Sequence, residues 1–164
     1  MELKDILALL QKDAAFKDWR KTHEKAFLTH AFVMLDEPNQ NTWQIGYFDD
    51  AANTMSTFVV ADKKVDVIPD QEVLKAQQQI LELKPSEATL PVAEALGAAE
   101  KARLEHYRQE MPAKTFFIIQ HLPEHGTVFN ITFFTVAFKT INIKLSAKDG
   151  KVVQHSIQAL AAFG

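Results

Sequence analysis

No cysteine occurs in the 164 residues, which excludes disulfides, thiolate metal sites and cysteine nucleophiles and leaves the compartment open. Only five glycines are present, and none forms a phosphate-cradling loop or a GxSxG elbow; HExxH is also missing. No apolar run approaches the ~18–20 residues that a membrane-spanning helix needs. Neither sign of charge dominates: 18 Lys/Arg stand against 21 Asp/Glu, a net −3, so no global field draws in nucleic acid. The opening MELKDILALLQKD carries two acids by position 5 and no small-residue cleavage site. It predicts a cytoplasmic protein, or an exported or periplasmic one if a leader has been removed.

What is present is a globular composition, 47% hydrophobic and 24% charged, enough for one medium domain or two small units on a shared core. Charge divides unevenly: residues 1–85 hold 10 Lys/Arg and 14 Asp/Glu, residues 86–164 hold 8 and 7. Leu3, Ile6, Leu7 and Leu10 follow helical spacing, extended by Phe16 and Trp19, which predicts one helix or two short ones ending near His23. Strands are predicted at Phe27–Leu35, from Trp43, from Met55 and at Val65–Ile68. Pro69-Asp70 reads as the start of a helix running to Lys84, with Asp70 as its N-cap. A second long helix is expected over Val92–Met111, ended by Pro112, with Gly97 marking a close approach to a sheet. Strands Thr115–Leu122, Val128–Thr135, Thr140–Ser146 and Val152–His155 follow, with a helical turn from Ser156. Asp149-Gly150 reads as a tight primed hairpin turn.

The run Gly126–Val153 has an echo about 86 positions earlier, in Trp43–Val67: Ile45 meets Ile131, Tyr47 meets Phe133, and Thr54 meets Thr140. The reading is an α+β chain of two tandem helix-plus-antiparallel-sheet units (α-β-β-β-β), residues 1–85 and 86–164, each burying one sheet face under a helix. With an aromatic-led strand, a second strand and a turn of the type Asp149-Gly150-Lys151-Val152, the pattern resembles the PepSY-like fold, with cystatin-like architecture. Ala147 stands where that family usually has Asp, and Lys63-Lys64 where it has Gly. The resemblance implies a non-catalytic module, whose relatives restrain proteases as propeptides or belong to exported bacterial proteins.

Searching for chemistry narrows the field further. His121 and His125 are four apart, but Pro123 between them forbids the helix that would aim both at one metal, so they read as exposed loop histidines, and His23 and His30 as surface residues. Asp62, Asp66 and Asp70 lack the density and glycine of a calcium loop. The expectation is no catalytic residue, no cofactor and no metal. One feature survives: if Phe129, Ile131 and Phe133 face the helix, the opposite face carries Phe134, Val136 and Phe138 and, by the repeat, Phe48, Phe58 and Val60. Such a face either packs against its counterpart or the helix from Asp70, or binds a protein partner or a second copy. The function expected is a protein-binding or regulatory module, protease-inhibitory or propeptide-like. The alternatives are a small-ligand-binding α+β cone with an apolar pocket between helix and sheet, and a secretion-chaperone-like dimer.

Overall fold

The computed structural model describes residues 1–72 and 80–160. Two short helices, α1 (Leu3–Lys12) and α2 (Ala14–Thr22), precede β1 (Phe27–Met34), β2 (Trp43–Asp49), β3 (Thr54–Ala61) and β4 (Lys64–Glu72). A 3-10 turn at Pro85–Glu87 leads to α3 (Val92–Tyr107) and to β5 (Pro112–Leu122), β6 (Gly126–Thr135), β7 (Lys139–Ser146) and β8 (Val152–Ala159). All eight strands form one antiparallel sheet in the order β4-β3-β2-β1-β5-β6-β7-β8. Each half is a helix-plus-meander unit, and the two join edge to edge where β1 pairs β5, His30 opposite Gln120 and Met34 opposite Phe116.

The helices lie on one face. Asp13 separates α1 from α2 and caps the second, its carboxylate accepting from the N–H groups of Ala15 and Phe16, two of the donors a helix start leaves unsatisfied. The α2 rings of Phe16 and Trp19 pack on Tyr47 and Phe58 at centroid distances of 4.9–5.4 Å, and Trp19 Nε1 donates to Ser56 Oγ at 3.0 Å. On the other half, α3 turns Ala95, Ala99 and Ala102 inward, small side chains that let it ride low over Ile141, Ile143 and Leu145. Gly97 plays no part in that approach, because a Cβ there would meet nothing within 4 Å. Leu104 and Met111, although apolar, are exposed. Arg103 is the buried polar member, held by Glu100, by the Glu110 carbonyl at 2.9 Å and over the Phe133 ring.

Glu2 connects the halves. Its carboxylate accepts from Val92 N–H at 3.0 Å, putting negative charge where α3 presents unpaired donors, while its own N–H donates to Asp5 at the start of α1.

Three expected elements differ. The helix from Asp70 to Lys84 falls partly on residues 73–79, outside the described residues. On its flanks the chain runs as β4 through Glu72 along β3, with Gln71 opposite Met55, and residues 80–84 are not helical. Strand pairing has overridden the capping signal. Ser156 likewise continues β8, opposite Asn142, instead of opening a helical turn. The two-residue hairpin turn is at Asp62-Lys63, both at positive φ with Ala61 opposite Lys64. At Asp149-Gly150 only the glycine has positive φ, in a longer turn closed by Ser146 N–H on Lys151 O.

Candidate functional site

Face assignment follows from pairing. In β2 and β6 the buried sets Trp43, Ile45, Tyr47 and Phe129, Ile131, Phe133 match at the 86-residue offset. Beyond the next turn the buried sets are Ser56, Phe58, Val60 and Ile141, Ile143, Leu145, an offset of 85. The β6–β7 connection, with Thr135 and Lys139 at its ends, is one residue shorter than the β2–β3 connection between Asp49 and Thr54. In a strand one residue exchanges the faces. Phe58 and Val60 are therefore core residues, fully buried under α2, and not members of an outer face.

The remaining expected face residues separate. Phe48 is on the helix-free side, buried against Phe27 at 5.8 Å. Phe134 is on the same side, half-buried in a row with Phe116 and Phe32 at 5.8 and 5.4 Å. Val136 and Phe138 lie past the end of β6, in the β6–β7 connection. There they form an exposed apolar corner with Met111: Val136 N–H donates to Met111 O at 2.9 Å, and the three are 59%, 73% and 67% exposed respectively. Phe138 has φ 59°, a left-handed backbone that costs a side-chain-bearing residue roughly 1–2 kcal/mol. The two halves do not stack outer face on outer face; they share one face side by side.

The opposite end of that face is polar and concave. A depression of about 730 Å3 is floored by His30, Gln120, Asn130, Lys144 and Gln154 and walled by Ile80, Leu81 and the β5–β6 turn from Leu122 to His125. His30 lies flat over Gly46, where a Cβ would come within 2.2 Å of its ring; its Nδ1 is 2.9 Å from the Thr29 hydroxyl, which donates to Gly46 O at 3.1 Å. Burial holds the His30 pKa below its usual value; the ring is half-buried on the floor of the depression, not on the open surface as expected. Lys144 Nζ donates to Asn142 Oδ1 at 2.8 Å, and Asn142 Nδ2 in turn donates to Asn130 and to Thr132. Desolvation lowers the Lys144 pKa too.

At the rim, Thr127 has the look of an activated hydroxyl, 3.0 Å from His121 Nδ1 and 2.8 Å from Glu87. Its one proton goes to Glu87, whose pKa is lowered first by that bond. His121 therefore receives none, and the trio ties the 3-10 turn to the sheet without making a nucleophile–base pair. His155 bonds Tyr107 at 2.8 Å and stacks on His106. Among the described residues no group of three His, Asp or Glu is placed to hold a metal, and no helix is long and apolar enough to cross a membrane. Under the helices lies one continuous set of buried side chains, with a depression of about 270 Å3 between the start of α3 and Val33, Trp43 and Phe117; the depression of about 730 Å3 is on the other side of the sheet.

An open-faced sheet of two meanders backed by helices is the class of fold. It is shared with a crystal structure from Clostridium difficile 630, described as that of a putative lipoprotein: the TM-score is 0.56 at 16% identity, over 92% of this chain and 98% of that one. At that identity the likeness is one of fold alone. No family model matches the chain, and no curated protein matches it.

Proposed function

We propose that this chain is a non-catalytic protein-binding module that docks its partner at the Met111–Val136–Phe138 corner, with Phe134 beside it. The observation that carries the reading is Phe138: a large apolar side chain, 73% exposed, kept at a positive φ. It adds nothing to the core and costs backbone energy, a combination that accompanies functional positions. The PepSY-like pattern of tandem α-β-β-β-β units supports restraint of an enzyme as the kind of task. The fold likeness to a protein described as a lipoprotein supports an extracytoplasmic setting. Affinity capture with wild-type and Phe138→Asp protein tests the proposal, followed by calorimetric titration of any protein retained only by the wild type. The expected result is a partner whose affinity falls at least ten-fold in the variant. Equal retention by both proteins sinks the reading, and light scattering that returns a Phe138-dependent dimer makes the partner a second copy.

A further inference from the structure

We propose that the depression on the helix-free face binds a small amphiphilic anion, its charged group on Lys144 and its hydrogen-bonding atoms on the Gln120, Asn130 and Gln154 side chains. This site is at the other end of the face from the aromatic corner, and it stands or falls independently of the protein-binding reading.

Charge carries the argument. Lys144 sits on the sheet floor and, among the described residues, its ammonium has one protein acceptor, the neutral amide oxygen of Asn142. Among the described residues it enters no ion pair, whereas Lys139, on the same strand, reaches Glu110 at 2.6 Å. A partly desolvated ammonium without a counter-charge is unfavourable, as its lowered pKa reflects, and an anion would supply both the charge and the missing acceptors. Among the described residues Glu124 is the one carboxylate in the lining, and it stands exposed on the β5–β6 turn. The side-chain amides of Gln120 and Gln154 have no hydrogen-bond partner among the described residues, so donors and acceptors stand ready next to the ammonium. Ile80 and Leu81 supply an apolar wall. The volume, about 730 Å3, falls within the roughly 300–1,000 Å3 of small-molecule sites. A carboxylate and a phosphate share this chemistry.

Hexanoate, inorganic phosphate and neutral hexanamide, each titrated to tens of millimolar (on the order of weak-fragment affinity) and followed by backbone amide NMR shifts, test the assignment. Saturable shifts clustered at Gln120, Asn130 and Lys144 are expected with an anion, at least ten-fold weaker with hexanamide. Stronger binding of hexanoate makes the ligand a carboxylate, and stronger binding of phosphate makes it a phosphate. Lys144→Gln should abolish the response and Lys144→Arg retain it; the amide spectrum of each variant reports that it is folded. Absence of saturable shifts with both anions, equal response to hexanamide, or unchanged binding by folded Lys144→Gln overturns the proposal.

Discussion

The two halves carry the same meander with different fillings. The first packs rings: Phe16, Trp19, Tyr47 and Phe58 form one aromatic cluster under α2. The second packs aliphatic strands against the alanine face of α3. The helices differ to match. Large rings hold α2 off the sheet and Asp13 breaks it from α1, whereas small side chains let α3 run unbroken for 16 residues. Where the first half lays His30 over Gly46, the second pairs Phe116 with Thr132. Equivalent strand positions thus accept either a ring over a glycine or a ring beside a β-branched residue.

The sharpest way to break this comparison is to empty each core in turn. Phe58→Ala should cost ~3–5 kcal/mol and Ile143→Ala ~2–5 kcal/mol, read from urea unfolding. Because the eight strands are one sheet, each should move a single transition; two separate transitions would show that the halves unfold independently. Next in size is the glycine contact. Gly46→Ala drives a Cβ into the His30 ring and should cost ~1–3 kcal/mol, against about 0.5–1.5 kcal/mol for Thr132→Ala, which removes the Asn142 acceptor; comparable losses would mean that His30 swings aside freely. Helix substitutions come third, with opposite signs. Asp13→Ala should cost ~1 kcal/mol through the α2 cap. Gly97→Ala, in open space on α3, should add ~0.5–1 kcal/mol, and a loss in thermal melts would place an unseen contact there.

The smallest expected effect is on pH. His30 is held below the unfolded value of ~6.5, so as pH falls through that value the unfolded chain takes up a proton that the native ring refuses. Stability from this residue is intact above that pH, declines below it, and levels off once the native ring protonates too. Among the described residues, the other ionisable groups lining the same depression are His121, Glu124, His125 and Lys144. His30→Gln should flatten the decline measured from pH 7 to pH 5; an unchanged slope would assign it to other groups.

Much of the fold was legible because it is local. Alternation at Ile141, Ile143 and Leu145 set β7, and helical spacing from Leu3 to Trp19 set the first layer. What misled was information held by other strands. Pro69-Asp70 is a sound helix start in isolation, yet β3 offers partners through Glu72. The 86-residue repeat puts Phe58 on the outer face, and the structure puts it in the core because one connection is a residue shorter. Of the candidate site, Phe134, Val136 and Phe138 were visible as surplus apolar residues, although two of them belong to a turn. The depression was invisible: Gln120, Asn130, Lys144 and Gln154 come from four strands, and each alone reads as an ordinary outward polar residue.

Every strand pairing but one is between neighbours in sequence. The exception, β1 with β5, joins residues 82–90 positions apart. Closing that loop carries the largest single loop-closure cost in the sheet, which has to be met before the contact can repay it. The expected order of assembly is therefore two meanders first and the central seam last. In consequence, the middle of the finished sheet is the youngest part of the molecule during folding, and two stray halves from different chains could close the same seam.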